Sequence, residues 1–361
     1  MSGVWGNNIK FSIFGESHGN AIGGVISSLP AGFEIDFDAI DKELVRRNHR
    51  AVYSTNRAEP DKYEILSGVF NGKTNGAPLA FMIKNSDTHS SHYDDIKDNM
   101  RPGHADYTAF VKYGGFSDYR GGGHFSGRIT APLVVAGAIA KQILEKEYGI
   151  KVYSHIKGIA DIEESSVLDM VNPIEALEKI NDENFPLLND DNRDAIMKKI
   201  ECAREEGDSL GGVIECVIAG VGAGIGEPFF DSIESRISQM IFSIPAVKGV
   251  EFGRGFDIAK MTGFDANDSF RYDRENVVTS TNNNGGINGG ITNGMPIVFS
   301  VAIKPTPSIF KTQETINIKT KENVDFSLKG RHDVCIVPRA ACVVECASAL
   351  VMLDFLNGSG K

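Results

Sequence analysis

Apolar residues and capping signals predict a helix over residues 131–148. Thr130 precedes the apolar run and can serve as its cap, Pro132 falls in the first turn, and Gly149 follows the last periodic residue. Proline near the start and glycine just past the end are the usual punctuation of a helix. The pattern therefore predicts both ends of this helix as well as its interior.

Three further segments predict helices. One opens at Asp231 or Ser232 and stops before Pro245. Its predicted buried face carries Ile233, Ile237, Met240 and Ile241. That spacing places the four side chains on one side of a helix. The other two predicted helices are residues 192–206 and 340–356, closed by Gly207 and Gly358.

Four shorter apolar runs, each bounded by turn residues, predict strands. They are "AIGGVISSL" (21–29), "YEILSGV" (63–69), "GGVIECVIAGV" (211–221) and "MPIVFSVAIK" (295–304). Strands and helices do not alternate regularly, which favours a mixed α+β fold with mainly antiparallel sheets over a doubly wound parallel sheet. We expect a single domain over residues 1–361, with the acidic and weakly patterned residues at about 160–192 as a peripheral insertion.

Charge and composition narrow the class of protein. Asp and Glu outnumber Lys and Arg by 48 to 37, which gives a net charge of −11 and disfavours nucleic-acid binding. An anionic small ligand then requires a local cluster of arginines. The five cysteines form no C-x-x-C pair, no signal peptide is visible, and the uninterrupted apolar runs are too short to span a bilayer. We expect a cytoplasmic protein without membrane contact.

Histidine and cysteine spacing does not predict a metal site. The pair "HSSH" at 89–92 has no third ligand at a suggestive spacing. Neither H-E-x-x-H nor C-x-x-C occurs in the sequence. We therefore expect no bound metal.

Five glycine- or proline-bounded segments concentrate polar side chains, and two of them present histidines. The first is "FGESHGNA", which sets Ser17 and His18 between glycines. A solvated turn is an open alternative there, and a Ser-His nucleophile pair is a weaker one. The second is "MRPGHADYTAF", in which a turn presents His104 with Asp106 nearby. A helix cap is the plain alternative, but histidine is also a natural proton donor to a departing phosphate.

The third segment, "YRGGGHFSGRITA" at 119–131, has the composition of an anion-binding turn. Three glycines free the backbone N–H groups, and Ser126 and Arg128 lie just before the predicted helix start at Thr130. A helix N-terminus carries unpaired donors and partial positive charge. A simple tight turn into a helix remains an alternative.

The last two segments lie toward the end of the chain. The Asn- and Gly-rich stretch 282–295 leads through an apolar strand to Lys304 in the rigid turn "KPTPS". Its alternative is a flexible surface loop. The fifth segment, "KGRHDVCIVPRAACVVE", places Arg331, His332 and Asp333 before an apolar helix, with a surface salt-bridge cluster as the alternative.

These five segments, in this order, resemble the chorismate synthase family. The matching motifs are "GESHG", "MRPGHADYTAFVKYG", "YRGGG", "AVKGVEFG", "GGINGGITNG", "KPTPSI" and "GRHD". Each motif alone is weakly specific, but seven in register across nearly the whole chain are highly specific.

The resemblance implies one β-α-β sandwich domain, a homotetramer and reduced FMN as cofactor. It implies a lyase of the shikimate pathway that converts 5-enolpyruvylshikimate 3-phosphate to chorismate by anti 1,4-elimination of phosphate, for aromatic amino acid biosynthesis. The reaction is redox-neutral, but an electron-rich reduced flavin can lend density to a substrate that has no good electron sink. We expect an external flavin reductant, and the sequence leaves open whether the chain uses NADPH itself.

The resemblance also implies roles for individual residues. His18 would act near flavin N1, His104 would protonate the leaving phosphate, and Asp333 would work with flavin N5 in removing the C6 proton. The expected FMN contacts are His124, Phe125, Ser126, Pro245, Ala246, Gly289, Lys304, Pro305, Thr306, Pro307, Ser308 and Arg331. The expected substrate contacts are Ser17, Arg47, Arg50 and Arg128, with Ser126 also on the substrate side.

Arginines suit the anionic groups of such a substrate. The relevant segments supply Arg46, Arg47, Arg50, Arg57, Arg101, Arg120, Arg128, Arg331 and Arg339. We expect several of them to converge on one site.

This chain departs from the family pattern in three places. Where the family usually reads "GGGRSSARE", this chain has "GGGHFSGRI", so His124 and Phe125 replace arginine and serine. The family's "RRRPG" segment is "RRNHRAVYSTNR" here, so its second anion-binding arginine corresponds to Arg50 or Val52. Pro245 replaces an asparagine.

Two alternative functions stay open beside the main hypothesis. One is a non-catalytic flavin- or phosphate-binding relative of the enzyme, and the other is a phosphate lyase that needs no flavin. The presence of His18, His104 and Asp333 together favours catalysis.

Overall fold

Two five-stranded antiparallel sheets enclose a layer of helices in the computed structural model, which describes residues 3–49, 51, 53–54, 61–86, 97–328 and 333–358. The strands are β1 (Val4–Trp5), β2 (Lys10–Gly15), β3 (Ala21–Ser27), β4 (Tyr63–Ser67), β5 (Val69–Phe70), β6 (Lys73–Thr74), β7 (Leu79–Lys84), β8 (Lys151–Ile159), β9 (Ile162–Glu163), β10 (Gly212–Ala219), β11 (Val247–Phe252), β12 (Phe270–Asp273), β13 (Asn276–Thr279), β14 (Ile287–Asn288), β15 (Ile291–Thr292), β16 (Ile297–Ile303), β17 (Gln313–Asn317) and β18 (Glu322–Phe326). The helices are α1 (Phe37–Asn48), α2 (Asp106–Tyr113), α3 (Thr130–Tyr148), α4 (Pro173–Ile180), α5 (Arg193–Glu205), α6 (Ile233–Ile241), α7 (Gly263–Ala266) and α8 (Val337–Gly358).

The helical layer contacts both sheets. The first sheet has the strand order β1-β2-β3-β7-β4, and the second has the order β11-β16-β10-β8-β9. Helix α3 packs on β2 and β3 of the first sheet, α8 packs on β8 and β10 of the second, and α1 contacts both helices. This confirms the predicted α+β class with antiparallel sheets.

The predicted helices all form, with one error at a cap. Helix α3 ends at Gly149, as predicted, where the backbone is left-handed with φ +68°. Thr130 does not cap it: Ile129 occupies that position, and the Thr130 hydroxyl donates to Gly127 O at 2.6 Å. The error arises because a short 3₁₀ turn, Gly127–Ile129, leads directly into the helix. Ser232 caps α6 as predicted.

The predicted strands correspond to β3, β4, β10 and β16, and Gly68 interrupts the second of these runs. Sequence reasoning missed β2, β7 and β8. Cross-strand pairing stabilises these strands: β2 and β7 flank β3, and β8 pairs with β10. Such contacts lie far apart in sequence and are not visible in a local pattern.

Helices α3 and α8 are buried on nearly all sides, so their apolar residues do not form a stripe. By length and composition Gly127–Tyr148 and Val337–Gly358 are long and apolar enough to cross a membrane. The expectation that no segment is long enough to span a bilayer was therefore wrong. It considered only the uninterrupted apolar runs, and both helices extend beyond them. Of the most apolar part of each helix, 83% in the first and 78% in the second is buried inside the fold, as is usual for core helices.

A buried carboxylate joins the helical layer to the second sheet. Glu345 of α8 is fully buried and accepts hydrogen bonds from Arg46 of α1 and Lys141 of α3, each at 2.7 Å. The hydroxyl of Ser154 on β8 donates to it at 2.7 Å. Burial alone would raise the pKa of Glu345, but Arg46 and Lys141 outweigh it and hold that pKa well below its usual range. Arg46 therefore serves the core and not the predicted anion site.

The segment 160–192 covers the outer face of the second sheet. Leu177 of α4 and Val167 pack on Val217 and Tyr153 of the sheet. Glu215, buried on the same face, accepts the backbone N–H of Val167 at 2.8 Å. Phe185 and Leu187, near the end of the segment, pack instead into the main core.

Gly137 allows α3 and α8 to pack closely, and replacing it by alanine should destabilise the protein. An added Cβ would lie 2.3 Å from both Cβ and O of Cys346, so the helices would have to separate. We expect Gly137→Ala to lower the free energy of unfolding by about 1–3 kcal/mol in denaturant titration. Helix propensity alone would raise it by roughly 1 kcal/mol. Gly222→Ala, whose Cβ meets nothing within 4 Å, is the control. A more stable Gly137→Ala protein would show that the helices adapt.

Candidate active site

A cavity of about 1170 Å³ opens where the carboxyl end of α1 meets the amino ends of α3 and α8. Arg47 and Asn48 line it from α1, Thr130 and Leu133 from α3, and Arg339 from α8. The amino ends of two long helices bring partial positive charge to the same wall. The position alone therefore favours an anionic ligand.

Most of the predicted site residues line this cavity. They are His18, Arg47, His104, His124, Phe125, Ser126, Arg128, Pro245, Ala246, Lys304, Thr306, Pro307, Ser308 and Asp333. Residues from all five polar segments thus meet in one place, although the Asn- and Gly-rich part of the fourth, residues 282–295, does not line the cavity. Arg50, Val52, Arg57 and Arg331 lie outside the described residues.

Three predicted contacts do not line the cavity. Gly289 forms the turn between β14 and β15, where an added Cβ would meet no atom within 4 Å. Pro305 lies against Gly211, where an added Cβ would come within 2.9 Å of its Cδ. Ser17 is fully buried beside the glycine run, and its hydroxyl has no hydrogen-bond partner among the described residues. Arg120, another predicted arginine, pairs with Asp118 at 2.8 Å away from the cavity.

The three glycines at 121–123 let two histidines approach one stretch of backbone. All three have left-handed φ, at 59°, 82° and 54°. A Cβ on Gly121 would lie 2.4 Å from Cδ2 of His18, and one on Gly122 would lie 3.2 Å from Cε1 of His104. The N–H of Gly122 donates to Tyr119 O at 3.2 Å, so it is not free for an anion. The run therefore acts first as a packing surface for His18 and His104.

His104 is held by a carboxylate. Its Nδ1 lies 2.6 Å from Oδ1 of Asp106 and 3.0 Å from Nη2 of Arg101. We assign the proton to Nδ1 because the shorter contact is to the carboxylate, which only accepts. Asp106 also binds Arg101 through Nε at 2.7 Å and Nη2 at 2.8 Å. Asp106 begins α2 without capping it, so the helix-cap alternative was wrong. This arrangement leaves Nε2 of His104 as the nitrogen that can exchange a proton with a ligand.

Burial and neighbouring charges set the protonation of this pair. Burial lowers the pKa of His104, Asp106 opposes that shift, and Arg101 and Lys304 add to it, so the pKa lies below its ordinary value of 6.5. Burial would raise the pKa of Asp106, but Arg101 and His104 outweigh it and hold that pKa well below its usual range. Asp106 is therefore a carboxylate at neutral pH, whereas His104 gains its proton most readily when an anion enters the cavity.

Asp333 is fixed by Arg339 and by the "KPTPS" turn. Its carboxylate pairs with Nη1 of Arg339 at 2.9 Å, and its backbone carbonyl accepts the Thr306 hydroxyl at 2.8 Å. Arg339 also donates to Arg47 O at 3.0 Å and to Asn48 Oδ1 at 2.7 Å. The pair is largely buried in the cavity wall, so Asp333 is not part of an exposed salt bridge. Arg331 and His332, the other members of the predicted cluster, lie outside the described residues.

His124 lines the cavity and is oriented by the first sheet. Its Nδ1 donates to Gly15 O at 2.8 Å, which turns the other ring nitrogen away from that carbonyl. Phe125 beside it is 39% exposed.

Sequence reasoning missed several lining residues. Lys248 lies within the recognised motif "AVKGVEFG", and its charge was the available signal. Arg236 and Gln239 sit on the polar face of α6 and carried no signal, since a helix pattern does not tell which polar residues face a cavity. Among the described residues, no group of three or more His, Cys, Asp and Glu side chains could hold a metal ion.

Comparison with known proteins agrees with this geometry. The protein-family model described as chorismate synthase matches residues 9–356. This chain belongs to the chorismate synthase family.

Similar chorismate synthases cover nearly the full length of the chain. That of Pyrococcus abyssi is 47% identical over 352 residues, which is 97% of this chain and 96% of the relative. That of Dehalococcoides mccartyi strain 195 is 44% identical over 361 residues, covering 100% and 98%. A solved structure described as a crystal structure of chorismate synthase superposes with a TM-score of 0.76 at 30% identity, covering 98% of this chain and 92% of that one.

Membership in the chorismate synthase family confirms the resemblance inferred from the seven motifs. It also confirms the expected class of enzyme, a carbon–oxygen lyase that acts on a phosphate-bearing substrate.

Gly121→Ala should disturb His18. The Cβ of the alanine would overlap the His18 imidazole, and the alanine backbone would also have to adopt a left-handed φ. We expect turnover to fall by roughly 10²-fold, because small displacements of reacting groups carry such costs. Gly149→Ala is the matched control: it has the same left-handed strain at φ +68°, no atom within 4 Å of the added Cβ, and a position outside the cavity lining. Equal turnover in the two variants would mean that His18 does not depend on this glycine.

His104 should make stability depend on pH. Its pKa is lower in the folded protein than in the unfolded chain, so the unfolded state binds more protons below about pH 6.5. The free energy of unfolding should therefore decrease as pH falls from about 6.5 through the lowered pKa. In denaturant titrations, the free energy of unfolding should fall more on acidification for wild type than for His104→Gln. Parallel profiles for the two proteins would contradict the lowered pKa.

Proposed function

We propose that this chain converts 5-enolpyruvylshikimate 3-phosphate to chorismate by anti 1,4-elimination of phosphate, with reduced FMN bound in the cavity. The observation that carries the proposal is the convergence of His18, His104 and Asp333 on one cavity whose wall is rich in cations. Family membership supports the same reaction.

The cavity residues fit a flavin phosphate at the "KPTPS" turn. Burial and the neighbouring Lys248 lower the pKa of Lys304, so an anion beside these two cations would be favourable. Thr306 and Ser308 add hydroxyl groups, and Ser308 already accepts from Arg101 at 3.3 Å. These are donors suited to a phosphate group.

Apolar residues beside this turn fit an aromatic ring system. Pro245, Ala246 and Pro307 offer apolar surface, and Phe125 and Ser126 lie at the mouth of the glycine run. When bound, reduced FMN would supply the electron density that allows the allylic phosphate to leave.

Each of the three proposed catalytic groups has a stated proton to handle. His104, charged by the approaching phosphate, would give the proton on Nε2 to the departing phosphate while Asp106 keeps Nδ1 protonated. Asp333, held by Arg339, would accept the proton from C6. His18, packed on Gly121, would hold a proton beside the flavin ring.

Assembly, cellular location and reductant belong to the same proposal. We place a homotetramer in the cytoplasm, with the flavin reduced by an external reductant. An exposed aromatic pair supports an assembly that covers it, since contiguous exposed apolar patches mark interaction sites. The pair is Phe229 and Phe230, which are 84% and 91% exposed and have ring centroids 6.4 Å apart.

The requirement for reduced flavin tests the proposal. With the substrate present, we expect chorismate absorbance to appear under anaerobic conditions with reduced FMN, and none to appear with oxidised FMN in air. His104→Gln and Asp333→Asn should lower turnover by roughly 10²–10⁴-fold, as for general acids and bases, while flavin binding stays close to wild type. Equal rates with and without reduced flavin would favour the flavin-independent lyase instead. Flavin or phosphate binding without any turnover would favour the non-catalytic relative.

A further inference from the structure

Arg47 and Arg128 are both buried in the cavity wall. Their exposed fractions are 8% and 7%, and both line the cavity. Two buried like charges at close range repel each other, and each is costly to remove from water. Burial lowers the pKa of Arg47, Asp61 opposes that shift, and Arg128 and Arg339 add to it. The pair therefore needs a compensating charge to stay in place.

One carboxylate supplies that charge. Asp61 is 3% exposed, and its Oδ2 accepts from Nη1 of Arg47 at 2.8 Å. Its other oxygen, Oδ1, accepts from Nη1 of Arg128. Each carboxylate oxygen thus holds one guanidinium group, and the two arginines are tied to a common point. The three groups together retain one net positive charge.

Asp61 lies behind the arginines and not in front of them. Both arginines line the cavity, whereas Asp61 is absent from its wall. Neutral groups orient the arginines at other positions: Arg47 Nε donates to Thr130 Oγ1 at 3.0 Å, and Arg128 Nε donates to Asn85 Oδ1 at 3.2 Å. Asp61 therefore supplies a compensating negative charge, whereas Thr130 and Asn85 only orient the arginine side chains.

The backbone of Asp61 is itself unusual. Its φ is +47°, a left-handed conformation that aspartate tolerates better than most residues but that still costs free energy. A strained residue persists when its surroundings fix it strongly. The two ion pairs to α1 and to the turn before α3 provide that fixation.

We propose that Asp61 is a positioning residue that holds Arg47 and Arg128 side by side, so that together they bind one anionic group of the substrate. The proposal rests on the proposed function for the identity of that substrate. Asp61 itself does not touch the ligand. Since the arginine pair holds the substrate before and during the reaction alike, loss of Asp61 should affect KM more than kcat.

Asp61→Asn tests this role. The amide keeps the shape but loses the charge, and only one of its two arms can accept a hydrogen bond. We expect KM for the substrate to rise roughly 10- to 100-fold, the range for losing a charged hydrogen bond, with kcat changed much less. Asp61→Glu, which keeps the charge, should recover part of the affinity. Unchanged KM would overturn the proposal, and a lowered KM would show that Asp61 competes with the substrate.

A double-mutant cycle separates positioning from general destabilisation. In an Arg128→Gln background, Asp61→Asn should raise KM much less than it does in wild type, because one of the two groups it positions is already gone. Asp268→Asn is the matched control, since Asp268 is also a buried carboxylate but, within the part of the chain that the structure describes, binds the loop at 281–284 and not the arginine pair. It should lower thermal stability and leave KM unchanged. Additive effects of Asp61 and Arg128 would overturn the proposal.

Binding of inorganic phosphate gives a readout that does not depend on turnover. In calorimetry, wild type should bind phosphate more tightly than Asp61→Asn, while Asp268→Asn should match wild type. If wild type failed to form chorismate with reduced FMN, the proposed function would fall, and this comparison would still decide the role of Asp61. Equal phosphate affinity in wild type and Asp61→Asn would reject the positioning role.

Discussion

The buried carboxylate of Glu345 is the constraint on which the rest of the structure depends. It joins α1, α3 and β8 to α8 through Arg46, Lys141 and Ser154, in an interior where unpaired charges are costly. Because α1 is fixed by Arg46, the next residue, Arg47, is directed at the cavity. Two adjacent arginines thus serve different parts of the molecule, one the core and the other the ligand site.

The same constraint brings the amino ends of α3 and α8 to one wall. Gly137 against Cys346 permits the close packing of these helices, and the cavity forms where they begin. Arg339, one turn into α8, then connects Asp333 to the carboxyl end of α1. The position of Asp333 therefore follows from helix packing as well as from the loops.

Charge in the cavity is opposite in sign to that of the whole chain. The protein carries a net charge of −11, yet the wall collects Arg47, Arg101, Arg128 and Lys304. Carboxylates moderate them from within: Asp61 binds Arg47 and Arg128, and Asp106 binds Arg101. Partial neutralisation lets several cations remain buried together while leaving positive charge for an anionic ligand. This arrangement reconciles an acidic protein with a phosphate-bearing substrate.

The sequence by itself determined the family, the α+β class, four helices and many of the charged and polar residues that line the cavity, because those features rest on local patterns and on motifs that stand in register. Tertiary structure alone decided which polar groups act together. Arg46 and Arg47 are indistinguishable in sequence, and Asp61 lies 14 residues from Arg47 and 67 from Arg128. The glycines at 121–123 read as an anion cradle, but packing against His18 and His104 gave them another role. Partners so far apart along the chain meet only after the helices pack, and burial then sets the strength of their charges.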